Sequence, residues 1–295
     1  MKNPTSILSI KRFMKGLLLK KTISIFILGL LSLGVFANPP LVSKQQIGMF
    51  KNSITCVVLE SGISSYNIFM TAAVEKYWKS TKYEIIDQEE FNKRRFDSKY
   101  SFLVLLKGVY GEDPGGVGYD YISLVLGDKA TDITDMPEIC SIPLIYSDDN
   151  DTDFGYAIPA IVKFIQKHAK KLETKRFLIV LRGLKYYNSS KLSTDNVLLI
   201  DRNQLAPDAN TLAKIKTVYP HYVKLLTNKE INTELKTEPI NTIFILHVGP
   251  SKNVGSGKCF EMVFDVEGNL YYYNYRKVTN KNKDGFTLKD FRHIR

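Results

Sequence analysis

The chain has 295 residues, of which 44% are hydrophobic and 24% are charged. This is the composition of a globular protein, and it excludes a disordered or collagen-like chain. At roughly 100–200 residues per domain, the length allows one large domain or two small ones. Three cysteines exclude a disulfide-dense scaffold. The formal net charge is +11, and residues 1–37 contribute six basic side chains and no acidic one.

Residues 1–37 have the features of a secretory signal peptide. Lys20 and Lys21 precede an uncharged stretch over residues 23–37, in which Val35 and Ala37 supply the small residues of a cleavage site. A membrane anchor is the alternative. However, such a stretch spans only about 22 Å as a helix, which is short of a hydrocarbon core roughly 30 Å thick. We therefore expect cleavage after residue 37.

Export would set the compartment in which the mature chain acts. We expect a periplasmic or extracellular protein with no transmembrane segment after cleavage, because no later run reaches roughly 18 apolar residues. Nucleic acid is then not an expected partner, in spite of the positive charge. Residues 38–48 are expected to form an N-terminal linker. Translation can start at Met1 or at Met14, and the sequence leaves both starts open.

The first half alternates strand and helix patterns. Residues 54–59 form a short apolar run rich in β-branched side chains, which predicts a buried strand. Residues 66–79 carry apolar side chains at helical spacing, which predicts a helix with a wide apolar face. The remaining predicted elements are a strand, a short helix, three strands and a closing helix, over residues 83–87, 88–96, 102–106, 121–126, 139–146 and 156–172.

The second half repeats this order at a nearly constant offset of about 140 residues, which predicts an internal duplication. Its hairpin is expected to turn at Glu267-Gly268-Asn269, and residues 287–295 form a truncated closing helix. Its other predicted elements are two strands and two helices in alternation and one more strand, over residues 197–201, 209–219, 222–226, 228–235 and 243–246. The run Arg176–Leu181 is also predicted as a strand, but it has no counterpart in the first half.

Together these elements predict an α+β fold of two similar β-α-β-α-β-β-β-α sandwiches in tandem. The first module covers residues 49–172 and the second covers residues 173–295. The two β-α-β crossings favour parallel pairing with a helix on the sheet, whereas the later hairpins are antiparallel.

This order resembles the amino-terminal domain of TolB and the periplasmic module of the curli-secretion lipoprotein. The matching positions are the strand Tyr83–Asp87 before a short helix, the central strand Phe102–Leu106, and the segment Tyr121–Asp128. In the second module, the turn Phe264-Asp265-Val266-Glu267-Gly268 matches the Asp-x-x-x-Gly-like hairpin turn of those modules. The resemblance implies protein–protein contact in a cell envelope and no catalytic chemistry.

No complete catalytic motif occurs in the sequence. Residues 254–259 look like the end of a phosphate-binding loop, but Lys252 and Cys259 replace the required Gly and Ser or Thr, and a strand follows instead of a helix. His247 ends a predicted strand and can reach Cys259 or Glu261 across the sheet. A Cys–His nucleophile pair and a hydrogen-bonded core histidine are both compatible with this position. We expect no enzyme activity and no cofactor.

The best candidate for a metal site is an acidic loop. Asp149, Asp151 and Asp153 have the spacing of the first calcium ligands of an EF-hand loop. Phe154 and Ala160 stand where that loop requires Gly and a bidentate Glu, which leaves a weak Ca²⁺ site or a solvated loop as the two interpretations.

The cysteines also allow two interpretations. Cys56, Cys140 and Cys259 each lie in an apolar, strand-like run. Buried free thiols are favoured, because a free cysteine behaves as a small hydrophobic residue. One disulfide with one thiol left over is the alternative in an oxidising compartment.

A candidate partner surface lies near the C-terminus. Alternation along a strand places Tyr271, Tyr273 and Tyr275 on one face of the sheet, next to Arg276 and Lys277. Packing of these aromatic rings within the fold is the alternative. The basic C-terminal residues 276–295 can also meet an anionic surface.

The sequence thus predicts an exported, non-enzymatic envelope protein with an interaction or assembly role. Its expected partner is an envelope protein or a second copy of the chain. A periplasmic binding protein for a small ligand or for weakly held Ca²⁺ is the alternative.

Overall fold

The computed structural model describes residues 42–62, 64–110, 118–146, 154–190, 192–250 and 256–295. Within the chain, Pro39–Arg295 form one compact unit. The expected signal peptide, the first residues of the expected linker and the acidic loop with Asp149, Asp151 and Asp153 lie outside the described residues.

The first half builds a five-stranded mixed sheet in the order β2-β1-β3-β4-β5. Strand β1 runs parallel to β2 and β3, and the pairs β3–β4 and β4–β5 are antiparallel. The strands are β1 Ile54–Val58, β2 Lys82–Ile86, β3 Tyr100–Gly108, β4 Tyr119–Leu126 and β5 Glu138–Tyr146.

The second half builds a sheet of the same topology, β7-β6-β8-β9-β10, with parallel and antiparallel pairs in the same places. The register also agrees, since Ile54 lies opposite Tyr100 in the first sheet and Val197 lies opposite Thr242 in the second. The predicted fold of two similar α+β modules is confirmed. The strands are β6 Val197–Asp201, β7 Val223–Leu226, β8 Thr242–Val248, β9 Gly257–Asp265 and β10 Leu270–Val278.

Seven α-helices accompany the sheets in the described residues. They are α1 Lys44–Asn52, α2 Ser65–Tyr77, α3 Gln88–Arg94, α4 Ile158–Arg182, α5 Leu212–Lys216, α6 Asn228–Leu235 and α7 Leu288–His293. Helix α1 begins inside the expected linker. The Ser43 hydroxyl accepts from the Gln46 backbone and the Gln46 side chain accepts from the Ser43 backbone, which is a capping box that marks a helix start in the sequence.

The strand predicted at Arg176–Leu181 is wrong, because this run is the last part of α4. The helix breaks locally at Lys175 (φ −122°, ψ 17°) and then continues to Arg182. Only Ile179 of the apolar run is buried, whereas Phe177, Leu178 and Leu181 are exposed. The β-branched Ile and Val in a short apolar run favoured a strand, but the burial follows one helix face.

The two sheets stack with helices between them. Helices α2 and α4 cover one face of the first sheet and pack into the same core as the facing side of the second sheet. Rings join these layers, since Phe164 lies 5.7 Å from Phe264 and Tyr156 lies 5.5 Å from Phe244. The second-sheet residues in this shared core are Leu199, Phe244, Leu246, Val248, Phe260, Met262, Phe264 and Leu270. The expected module boundary after residue 172 therefore falls inside a helix that both halves share.

The outer faces are covered by shorter elements. Helices α5 and α7 cover the outer face of the second sheet through Ile215 and Phe291. Helix α3 covers the outer face of the first sheet through Phe91, together with the β4–β5 connection, whose Met136 is buried there. The corresponding β9–β10 connection is a tight turn at the predicted Glu267-Gly268-Asn269.

Candidate functional site

The His247–Glu261 pair lies within a cluster of buried charges at one end of the second sheet. The two residues face each other across β8 and β9, with 3.0 Å between His247 Nδ1 and Glu261 Oε2. The predicted contact of His247 with Glu261 is thus confirmed. The other imidazole nitrogen, Nε2, lies 3.1 Å from Asp284 Oδ1 in the segment before α7. The Nδ1 atom is therefore hydrogen-bonded, and Nε2 lies within ion-pair distance of a carboxylate.

Arg276 completes this cluster from β10. Its Nη1 lies 2.9 Å from Glu261 Oε1 and 3.2 Å from Asp290 Oδ2. The Tyr272 hydroxyl donates to Asp290 Oδ1 over 2.7 Å. Arg276, a predicted member of the partner surface, keeps only 18% of its side chain exposed, because these carboxylates hold its guanidinium. Alternation puts Arg276 on the face of Tyr272 and not on the face of its tyrosine neighbours.

The electrostatics of this cluster favour a structural role. Burial alone would lower the pKa of His247, but the adjacent carboxylates of Glu261 and Asp284 raise it to about 10, so the imidazole carries a charge at neutral pH. Burial raises the pKa of the Cys259 thiol, which keeps it protonated. A protonated His and a protonated Cys do not form the nucleophile pair that the sequence left open. The cluster instead ties α7 and the segment before it to the second sheet.

The three cysteines, Cys56, Cys140 and Cys259, are buried free thiols in the structure. Within the described residues, no group of three or more His, Cys, Asp or Glu side chains is placed to hold a metal ion.

The tyrosines of β10 are largely engaged within the chain. The predicted common face is interrupted by a register irregularity between Leu270 and Tyr272, since Tyr271 packs against the outer core of the second sheet and Tyr273 against the shared core. The Tyr271 hydroxyl donates to Asp265 Oδ2 over 3.0 Å. The backbone N–H of Tyr273 donates to Asn188 Oδ1 over 2.8 Å, and Asn188 Nδ2 donates to the Tyr273 carbonyl over 3.0 Å. Asn188 belongs to the 3₁₀ segment Gly183–Ser189, which follows α4 and lies along the free edge of β10. Of the predicted surface, Tyr275 and Lys277 remain exposed.

A groove of 320 Å³ opens where the two halves meet. Helix α2 of the first half forms one wall and α6 of the second half forms the other. The floor comes from α4 and from Phe244 of β8. We call this the inter-half groove. Its apolar lining is Ile68, Phe69, Ala72, Pro159, Ala160, Leu235, Phe244 and Val266.

Glu238 fixes a charged corner of this groove. It accepts hydrogen bonds from Lys76, from the Tyr77 hydroxyl at 2.6 Å and from Lys163 at 3.1 Å. The bonds from Lys76 and Tyr77 lower the pKa of Glu238 to about 2, so the carboxylate is ionised. Lys163 Nζ also lies 4.1 Å from the centre of the Tyr77 ring and donates to the Val266 carbonyl over 2.8 Å. Glu238 has φ +48°, a strained conformation of the kind that clusters at functional sites.

The inter-half groove could not be predicted from local sequence patterns, because its walls lie more than a hundred residues apart in the chain. The corner residues Lys76, Lys163 and Glu238 belong to three separate elements or connections. Only the tertiary stacking of the two halves brings them together.

Comparison of the chain with protein-family models, curated proteins and solved structures gave no match. Along the described ranges, none of the helices combines the length and apolar character needed to cross a bilayer.

Proposed function

We propose that this protein is an exported, non-enzymatic binding protein that docks a partner protein of the cell envelope in its inter-half groove. The observation that carries the proposal is the apolar groove itself, which has a fixed charged corner and lies where the two halves meet. Ligand sites favour such junctions and such a lining. The export and the envelope location rest on the signal-peptide features of residues 1–37.

The dimensions of the groove favour a protein partner over a small molecule. A volume of 320 Å³ is near the lower limit of small-molecule pockets, and it suits one or two inserted side chains. Ile68 stands at its margin with 63% of its surface exposed. Apolar anchors in such pockets carry much of the energy of protein–protein contacts. The resemblance of each half to modules with envelope partners supports the same role.

The rim adds specificity to this apolar contact. Lys76 and Lys236 are exposed on opposite walls, and Glu238 is half-buried between them. A partner that inserts an apolar anchor and places an acidic group near these lysines would match both properties. Mixed charges of this kind select the orientation and the on-rate of a partner more than they add affinity.

The test is site-specific photo-crosslinking in the cells that produce the protein. A photoreactive residue replaces Ala72, which is exposed on the groove side of α2. We expect a discrete crosslinked protein species. In a second step, Asn232→Trp fills the groove from α6, and we expect the crosslink to fall at least roughly ten-fold, as loss of a central anchor contact predicts.

Thr233→Trp is the matched control, because Thr233 is the next residue of α6, is exposed and does not line the groove. This variant should keep the crosslink. Loss of the crosslink in both variants, its survival in both, or the absence of any protein adduct at position 72 would each contradict the proposal.

A further inference from the structure

The end of α4 carries an exposed apolar surface with basic surroundings. Phe177 is 75% exposed, Leu181 is 70% exposed and Leu178 is 43% exposed. At 100° per residue these three side chains lie within one arc of the helix, opposite the buried Ile179. We call this surface the α4 tip. A soluble monomer rarely leaves several large apolar side chains exposed together, so the α4 tip is a candidate contact surface.

The charged residues of the chain segment that carries the α4 tip are all basic, whereas Glu138 of β5 lies on the buried side of the helix, beside Ile179 and Val180. From residue 174 to residue 194 the sequence contains no acidic residue. Lys175 and Arg182 are exposed within the same helix. The nearest acidic residue on α4, Glu173, already pairs with Lys51 at 2.8 Å. The surface is therefore complementary to an anionic partner.

A second groove adjoins the α4 tip on the preceding turns of α4. Its volume is 560 Å³, and its charged lining consists of Lys167, Lys170, Lys171 and Glu173, the last of which pairs with Lys51. Thr174, which also lines this groove, precedes Phe177 by about one turn of the helix. Exposed lysines on the earlier turns of α4 are thus followed by exposed apolar side chains at the end of the same helix.

We propose that the α4 tip docks this protein onto the surface of an anionic lipid bilayer. Phe177, Leu178 and Leu181 enter the boundary between headgroups and acyl chains, while Lys175 and Arg182 meet the anionic headgroups. This is peripheral attachment of a folded domain through a helix end. It is independent of the inter-half groove.

Self-association through this surface fits the charges less well. In a two-fold symmetric pair the same surface occurs on both copies. Each Lys175 and Arg182 would then approach the cations of the second copy with no acidic residue of the α4 tip to compensate them. A bilayer with acidic headgroups supplies the opposite charge and also the apolar phase.

The experiment is vesicle co-sedimentation of residues 38–295, which contain the whole compact unit and lack the apolar leader. The vesicles are phosphatidylcholine alone, or phosphatidylcholine mixed with phosphatidylglycerol. We expect binding only to the phosphatidylglycerol vesicles, and weaker binding at high salt. The double variant Phe177→Ser, Leu181→Ser should lower the partition coefficient by roughly ten-fold or more. The double variant Lys175→Ala, Arg182→Ala should lower it by roughly thirty-fold.

Ile240→Ser is the matched control, because Ile240 is an apolar residue with 88% exposure outside the α4 tip. It should bind vesicles as the unchanged protein does, and so should Asn232→Trp in the inter-half groove. Equal binding to both vesicle types, or full binding by the Phe177→Ser, Leu181→Ser variant, would overturn the proposal. Light scattering that shows a dimer, converted to a monomer by that variant, would overturn it in favour of self-association.

Discussion

His247 shows how single residues hold the C-terminal part of the chain in place. Its charged ring lies between Glu261 on the neighbouring strand and Asp284 in the segment before α7. Asp290 both caps α7, where it accepts from the Thr287 backbone over 2.9 Å, and pairs with Arg276. Removing one partner from such a buried pair is strongly destabilising, because the other charge stays buried without compensation.

The charge of His247 predicts a pH dependence of stability. Its pKa in the folded protein, about 10, lies above the ordinary value of 6.5. The contribution of the charged His247 ring to the free energy of unfolding is therefore fully present below about pH 6.5 and is lost as the pH rises through about 10. We expect the free energy of unfolding, measured by urea denaturation, to fall by roughly 3 kcal/mol between pH 6.5 and pH 9.

The His247→Gln variant is the control for this titration, since it keeps a polar side chain but cannot gain the charge. It should be less stable at neutral pH and should lack most of this slope. An equal slope in both proteins would show that another group causes the loss.

Individual elements differ between the two halves where their neighbours differ. Helix α4 has 25 residues and packs between the sheets, whereas its counterpart α7 has 6 residues and covers an outer face. The β4–β5 connection covers the first sheet, while the β9–β10 turn has to fit against α4. On the second sheet, helices of the first half occupy the position that the β4–β5 connection takes on the first sheet.

Gly268 in the β9–β10 turn allows a test of the packing of this turn against α4. It has φ +74°, and a Cβ atom there would lie 2.5 Å from Lys163 Cβ and 2.7 Å from the Ala160 carbonyl oxygen of α4. We expect Gly268→Ala to lower the free energy of unfolding by roughly 2–4 kcal/mol, through backbone strain and overlap with α4.

Gly48→Ala makes the same chemical change at an exposed position inside α1, where a Cβ would meet no atom within 4 Å. This control should stabilise the protein by up to about 1 kcal/mol, because alanine favours a helix interior. A neutral Gly268→Ala variant would show that the turn does not pack tightly against α4.

Strands and short helices could be predicted from local signals, since buried β-branched runs and side-chain caps are properties of neighbouring residues. Asp87, for example, directly follows β2 and caps α3 by accepting from the Glu90 backbone over 2.8 Å. The end of α4 could not be predicted from local signals, because the apolar run after Lys175 fits a strand and a helix equally well.

The inter-half groove could not be predicted from local signals either, because Phe69, Lys163 and Leu235 meet only after both halves have stacked.

On the scale of the whole molecule, the two halves stack head to tail, so that different faces of the two sheets meet. A symmetric pair would instead bring the same face of each sheet together. The face of the first sheet that α3 covers corresponds to the face of the second sheet that packs on α2 and α4. Such a head-to-tail arrangement needs different covers at its two ends, as in other repeat architectures. The β4–β5 connection and α3 close one end, and α5 and α7 close the other.

This stacking makes the two modules one folding unit, and the inter-half groove depends on it. A second half without α2 and α4 would expose Phe244, Met262 and Phe264, which lie in the shared core. The two halves should therefore unfold together even though each has its own sheet. Proteins with a continuous core lose their structure in one cooperative transition.

The most direct measurement is urea unfolding of residues 38–295, followed both by fluorescence of Trp78 and by far-UV circular dichroism. Trp78 is the single tryptophan of the chain and is buried in the first half, whereas circular dichroism reports on both sheets. A shared core predicts one transition with the same midpoint for both signals. Two transitions, or a fluorescence midpoint that differs from the dichroism midpoint, would show that the halves fold separately and would contradict the shared core.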